Sequence, residues 1–344
     1  MAKRYPLFIA NRNNLDENIK KILNLCRPYG IKVSAVTKGF NSISECCQTL
    51  YDAGCIDIAS SRIEQLQAVK SFNASIPTML IRIPMFSEIP AVVCFADSSL
   101  VSEVETLYRL NEEAGRQRKR HRVILMRDVG DLREGFFTEE SLVNAAVMVE
   151  KELSSLELYG IGSNFNCYGA VSPTFTNLSE LSACAEEIED RIGRKLDIVS
   201  GGATTTMPVL LRGEVPPKIN HLRLGICLFT HSTAWEEDFE GRLDVFQIKA
   251  QIVELNSKPT YPIGERGTAA FGKVREYVDR GIRKRALVAM GNQDLGDTTN
   301  VIIPCDPEIK VIGASGDHTI LDIEDCHTPY KLGDIVTFNM LYQG

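Results

Sequence analysis

Leu15-Asp-Glu-Asn-Ile-Lys-Lys-Ile-Leu-Asn-Leu-Cys26 runs into Lys32-Val-Ser-Ala-Val-Thr37, and this order of a helical stretch followed by a short apolar run then repeats. Apolar residues at positions 15, 19, 22, 23 and 26 recur every three or four residues, which predicts a helix with one apolar face. A helix near Ile43–Ala53 leads to Asp57–Ser60, Ile63–Ser71 to Thr78–Ile83, Ile89–Phe95 toward Ser99–Val101, and Glu103–Glu113 to Val123–Arg127. Ser141–Leu153 leads to Leu156–Gly162 and Ser179–Ile192 to Ile198–Ser200, while a short helix near Thr206–Leu211 precedes His221–Gly225. The strands are short and continuously apolar, as expected of a parallel sheet covered on both faces. About eight such units in series predict an α/β fold, a parallel (β/α)8 barrel of the TIM type.

After Trp235 the texture changes. Leu243–Leu255 alternates like a strand, and Arg285–Met290, Val301–Ile303, Lys310–Ile312, Thr319–Ile323 and Asp334–Leu341 follow between clusters of Gly, Pro, Asp and Asn. This predicts an antiparallel β domain. The expected domains are residues 10–235, the barrel, and residues 236–344 joined by 1–9, the β domain, with the boundary placed by texture near 235–243.

The composition is that of a globular protein, with 44% hydrophobic and 24% charged residues, and the net charge of -7 argues against a nucleic-acid partner. The dense basic run Arg116–Arg122 reads as a solvated helix end feeding a strand, with a phosphate-binding surface as the alternative. Ten scattered cysteines without CxxC spacing give no metal motif. The N-terminus lacks a signal-peptide core, and no apolar stretch reaches membrane-spanning length. The expectation is a cytoplasmic protein without metal or membrane partner.

In barrels of this kind, chemistry sits where strands end and loops begin. Lys38, at the end of the first barrel strand, is either an amine that condenses with a carbonyl once desolvation lowers its pKa, or an ordinary exposed lysine. Ser200-Gly-Gly-Ala-Thr-Thr-Thr206 is either a phosphate-binding turn or only a turn. Arg223, inside His221-Leu-Arg-Leu-Gly225, is a buried arginine that needs a partner, in a structural salt bridge or at a ligand. Arg133, in Asp128–Gly135, could reach an anion.

Taken in order, Val36-Thr-Lys38, Ile81-Arg-Ile-Pro-Met85, Asp131-Leu-Arg-Glu-Gly135, Gly160-Ile-Gly-Ser-Asn164, Gly201-Gly-Ala-Thr204, Leu222–Ile226, Asp279–Arg285 and Gly316–Asp322 resemble the motifs of alanine racemase-like, fold type III pyridoxal-phosphate enzymes, and within them the ornithine racemase branch. The resemblance extends over nearly the whole chain. It implies pyridoxal 5′-phosphate carried by Lys38, with its phosphate held by Thr204, Gly225, Ile226 and Tyr342. It implies Arg223 against the pyridine nitrogen, Arg133 near the ring hydroxyl or the substrate carboxylate, and Asn164 where relatives have a histidine near the ring face. An arginine at the ring nitrogen weakens the electron sink, which suits a racemase and disfavours a decarboxylase.

One departure stands out. Relatives place a partner-subunit tyrosine opposite the lysine as the second acid/base, and the matching stretch Ala269-Ala-Phe271-Gly272 has phenylalanine, which transfers no proton. Asp317 and His318 are the candidate replacements, with the alternative that Asp317 only binds the substrate amino group and His318 is structural; Cys167 is a further candidate. Asp294, Asp297 and Asp317 could receive a basic side chain, and Asp279–Arg285 could brace a subunit interface. The expected activity is racemisation of a basic amino acid, ornithine before lysine, in a homodimer whose β domain completes the neighbour's site. The alternatives are a decarboxylase of basic amino acids and a non-catalytic carrier of the cofactor.

Overall fold

The computed structural model describes residues 4–229, 241–265, 267 and 277–342. Two compact units divide the chain, Arg12–Arg242 in one and Met1–Asn11 with Leu243–Gly344 in the other.

The chain enters through β1 (Leu7–Ala10), which belongs to the second unit. The first unit then alternates helix and strand: α1 (Arg12–Cys26), β2 (Lys32–Val36), α2 (Ser44–Ala53), β3 (Asp57–Ser60), α3 (Ile63–Phe72), β4 (Thr78–Leu80), α4 (Ile89–Phe95) and β5 (Ser98–Val101). It continues with α5 (Val104–Arg116), β6 (His121–Met126), α6 (Glu139–Glu152), β7 (Leu156–Gly162), α7 (Phe175–Ile192), β8 (Ile198–Ser200), α8 (Met207–Leu211) and β9 (His221–Leu224). Strands β2 to β9 form a closed barrel in which each pairs in parallel with the next and β9 returns to β2. The basic run is as read from the sequence, the end of α5 leading into β6.

The helices pack by periodicity. Helix α1 buries Leu15, Ile19, Ile22 and Cys26 on one face, each apolar side chain contributing on the order of 2 kcal/mol. Helix α7 starts on a reciprocal cap, where Thr174 accepts from the Asn177 N–H and the Asn177 side chain accepts from the Thr174 N–H. Val36, Ala59, Met79, Leu100, Ile124, Met126 and Ile198, from successive barrel strands, share one buried cluster. Parallel pairing sets Ser34 opposite Asp57 on one side and opposite Arg223 on the other. At Gly160 the strands approach so closely that a Cβ would lie 1.9 Å from the Ile198 carbonyl oxygen, so only glycine fits there.

The second unit is an antiparallel sheet of seven strands among the described residues. Its strands after β1 are β10 (Phe246–Pro259), β11 (Ile282–Val288), β12 (Ile302–Pro304), β13 (Lys310–Ala314), β14 (Thr319–Asp322) and β15 (Ile335–Met340). The order is β12-β15-β10-β11-β14-β13, with β1 also paired to β10. Arg283 ties β11 to Asp322 at 2.7 Å and to Asp325 at 2.5 Å, so the run Asp279–Arg285 braces this sheet from within the chain. No helix among the described residues is long and apolar enough to cross a membrane.

Candidate active site

The loops that follow the barrel strands carry most of the residues singled out from the sequence. Lys38 opens a tight turn, Lys38–Phe40, directly after β2. Its base is fixed: Thr37 is fully buried, its N–H donates to the Ala59 carbonyl at 2.9 Å, and its hydroxyl meets that of Ser42 at 2.7 Å. The Lys38 side chain itself is exposed in the single chain, so the desolvation expected from the apolar strand is not supplied within it.

The turn after β8 is built for close approach. Gly202 has φ +104, and a Cβ there would lie 2.8 Å from both the Phe165 ring and the Thr206 hydroxyl. That hydroxyl donates to the Gly201 carbonyl at 2.7 Å. Thr204 Oγ1 lies 3.5 Å from the Gly225 nitrogen and 3.5 Å from Cys227 Sγ, joining this turn to the one after β9. Beside it, Thr205 Oγ1 is buried and has no hydrogen-bond partner among the described residues. An unpartnered buried hydroxyl costs about 1–3 kcal/mol unless a ligand satisfies it. Neutral hydroxyl and N–H donors in a glycine-lined turn suit a phosphate group.

Arg223 is buried and forms no ion pair among the described residues. Its Nη2 donates to the Ser163 carbonyl at 2.7 Å, and its Nη1 donates to the Ser200 hydroxyl. Burial lowers its pKa to about 10, against the opposing pull of Glu134. The structural salt bridge left open by the sequence is therefore not what holds it. Arg133 is exposed and paired with Glu134, which keeps its guanidinium charged. Its loop is docked by Asp131, whose carboxylate accepts the N–H groups of Cys167, Tyr168 and Val171 at 3.2–3.3 Å. Asn164 is half-buried, with its amide 3.5 Å from the Phe165 carbonyl.

Comparison with known proteins matches residues 10–233 to the family described as alanine racemase, N-terminal domain. The chain belongs to that family. Lys38, Arg133, Asn164, Thr204, Arg223, Gly225 and Ile226 all lie in the stretch that the family matches and in loops or strand ends of one unit. The chain is 42% identical over 340 residues to the ornithine racemase of Acetoanaerobium sticklandii, covering 98% of this chain and 95% of the relative. It is 34% identical over 340 residues to the lysine racemase of Thermotoga maritima, covering 98% and 94%. Among solved structures, the alanine racemase of Clostridium difficile 630 superposes with a TM-score of 0.76 at 19% identity, over all of this chain and 88% of that one. That of Streptomyces coelicolor A3(2) gives 0.74 at 17% identity, over 96% and 87%.

The remaining racemase-site candidates fall in the second unit. Asp317 and His318 are both exposed in the turn between β13 and β14, where the His318 N–H meets the Ser315 hydroxyl at 3.3 Å. Asp294 caps the Gly291 N–H at 2.9 Å, and Asp297 accepts from Thr299 and Asn300 at 3.2 and 2.9 Å, so these two carboxylates are engaged locally. Tyr342 follows β15, and Cys167 is exposed. Phe271 and its neighbours Ala269–Gly272 lie outside the described residues, as does Trp235.

Sequence reasoning passed over Thr205, Asp131, Ser163, Ser200 and His221. His221 and Arg223 are two residues apart on one strand and so share a face, which was a readable signal. The pairing of Ser200 with His221 depends on barrel register and was not.

Proposed function

We propose that this protein is a pyridoxal 5′-phosphate-dependent racemase of a basic amino acid, acting on ornithine first and lysine next. The observation that carries this reading is the 42% identity, over nearly the full length of both chains, to a relative named ornithine racemase. The bound cofactor supplies the electron-withdrawing ring that makes the α-proton of the substrate acidic.

Lys38 would carry the cofactor through its amine and move the α-proton on one face. The hydroxyls of Thr204 and Thr205 and the backbone of Gly225 and Ile226, with Tyr342, would hold the phosphate. Arg223 would face the pyridine nitrogen and, as a permanent donor, keep that nitrogen unprotonated. This disfavours decarboxylation and suits proton exchange. Asn164 would lie at the ring face, and Arg133 would bind the ring hydroxyl or the substrate carboxylate. The barrel is then the cofactor-binding domain, and the β unit completes the site of a second copy in a cytoplasmic homodimer. Asp317 and His318 are the proposed source of proton transfer on the opposite face, with Asp317 also suited to the cationic amine of the substrate.

The test is incubation of the cofactor-loaded protein with L-ornithine and L-lysine in heavy water, followed by chiral analysis. Deuterium at the α-carbon with formation of the D-isomer is the expected result. Cofactor bound without exchange on either amino acid would replace the racemase by a carrier, and release of carbon dioxide would replace it by a decarboxylase.

A further inference from the structure

Behind Arg223 a row of buried polar side chains crosses the barrel interior. Arg223 Nη1 donates to Ser200 Oγ, Ser200 Oγ lies 2.8 Å from His221 Nδ1, and His221 Nε2 lies 2.7 Å from Ser34 Oγ. Ser34, Ser200 and His221 are each fully buried. Opposite Ser34 on β3 lies the buried Asp57, whose pKa the Ser34 hydroxyl helps to hold down.

The direction of these bonds follows from donor counting. A guanidinium N–H only donates, so Ser200 Oγ accepts from Arg223. Ser200 has one proton of its own, and among the described residues its only other partner is His221 Nδ1. Nδ1 must then be the bare acceptor and Nε2 must carry the hydrogen, which it donates to Ser34. A hydrogen on Nδ1 would leave the Ser200 proton buried without an acceptor, at a cost comparable to losing a hydrogen bond. The ring stays neutral because burial, with the charges of Arg223 and Lys32 adding to it, lowers its pKa well below the ordinary histidine value.

We propose that His221 is a positioning residue for Arg223: held in the Nε2–H tautomer by Ser34, it leaves Ser200 as an acceptor for Arg223 and so fixes how the guanidinium is presented at the barrel mouth. The functional part of this inference rests on the reading above, in which Arg223 faces the cofactor ring. The tautomer itself does not, because it belongs to the protein alone.

The experiment uses protein labelled with 15N-histidine, with and without pyridoxal phosphate, and the variants Ser34→Ala and Ser34→Thr. Wild type is expected to show a bare Nδ1 and a protonated Nε2 at His221 with or without cofactor. Ser34→Ala removes the Nε2–H acceptor and is expected to mix the two tautomers and shift the absorption band of the bound cofactor. It is also expected to lower kcat by about tenfold, because the orphaned Ser200 proton loosens the acceptor that holds Arg223, at little change in KM. Ser34→Thr keeps the hydroxyl and is expected to restore all three. An Nδ1–H tautomer in the wild type would overturn the proposal, as would a Ser34→Ala protein that keeps both the wild-type tautomer and the wild-type band. Correct tautomers in a protein that binds no cofactor would instead refute the functional reading and leave the relay standing.

Discussion

Two buried ionisable residues, Arg223 and Asp57, form no ion pair among the described residues; Arg223 donates instead to the Ser200 hydroxyl and the Ser163 carbonyl. Arginine inside an apolar strand is visible in a sequence; the serine it rests on is not, because that contact is made by strand pairing. Asp57 is the sharper case. Burial, with Asp97 adding repulsion and the Ser34 hydroxyl opposing, pushes its pKa up to about 7, and its Oδ1 has no partner among the described residues. The unfolded chain releases that proton near the ordinary value of 3.8, so between about pH 4 and 7 the native state holds more protons and loses stability as pH rises. His121 works in the opposite sense: burial lowers its pKa from 6.5 to about 4, and its share of stability is lost as pH falls through that window. The wild-type profile therefore mixes two signs. Comparison with Asp57→Asn isolates one. The melting temperature of Asp57→Asn minus that of wild type is expected to rise between about pH 5 and pH 8, by the equivalent of a few kcal/mol at most. A difference that stays constant across that range would mean that Asp57 is ionised in the fold throughout.

At the scale of elements, helices and strands of the barrel were legible because helical periodicity and short continuous apolar runs cannot be confused over a whole series of units. The chemistry was legible only where one residue type stands at a strand end, as with Lys38 and Arg223. The cradle was half legible: Gly201-Gly202 and Thr204 were readable as a turn that could meet a phosphate, whereas the orphaned Thr205 hydroxyl emerges only from the folded turn. Gly202 tests the cradle. Its φ of +104 and the 2.8 Å approach of a Cβ to Thr206 mean that Gly202→Ala displaces the hydroxyl that ties the turn to Gly201. The expected cost in stability is about 1–3 kcal/mol. Pyridoxal phosphate affinity, followed by absorbance titration at a temperature where the variant is folded, is expected to fall by about tenfold or more if the proposed phosphate donors sit on that same turn. Unchanged affinity would detach the turn after β8 from the cofactor.

At the scale of the whole molecule, Lys38 belongs to the barrel unit, and Asp317 and His318 belong to the sheet unit. Racemisation asks for proton transfer on both faces of the α-carbon, and Lys38 on its own reaches one. The sequence offered both as candidates but could not say which copy of the chain would bring them together, since an interface leaves only composition in a sequence and no register. Mixing inactive variants decides it. If the β unit of one copy completes the barrel site of the other, Lys38→Ala protein and a double variant Asp317→Asn, His318→Gln are each inactive alone. Co-refolded in equal amounts, they form hybrids in which one of the two sites draws Lys38, Asp317 and His318 intact from different chains. With half of the dimers hybrid and one good site in each, activity is expected to recover to about a quarter of the wild-type value. No recovery, in a mixture shown by native mass spectrometry to contain hybrids, would place both halves of the site in a single chain; full activity of the double variant alone would remove Asp317 and His318 from the chemistry and leave proton transfer on the second face to another group.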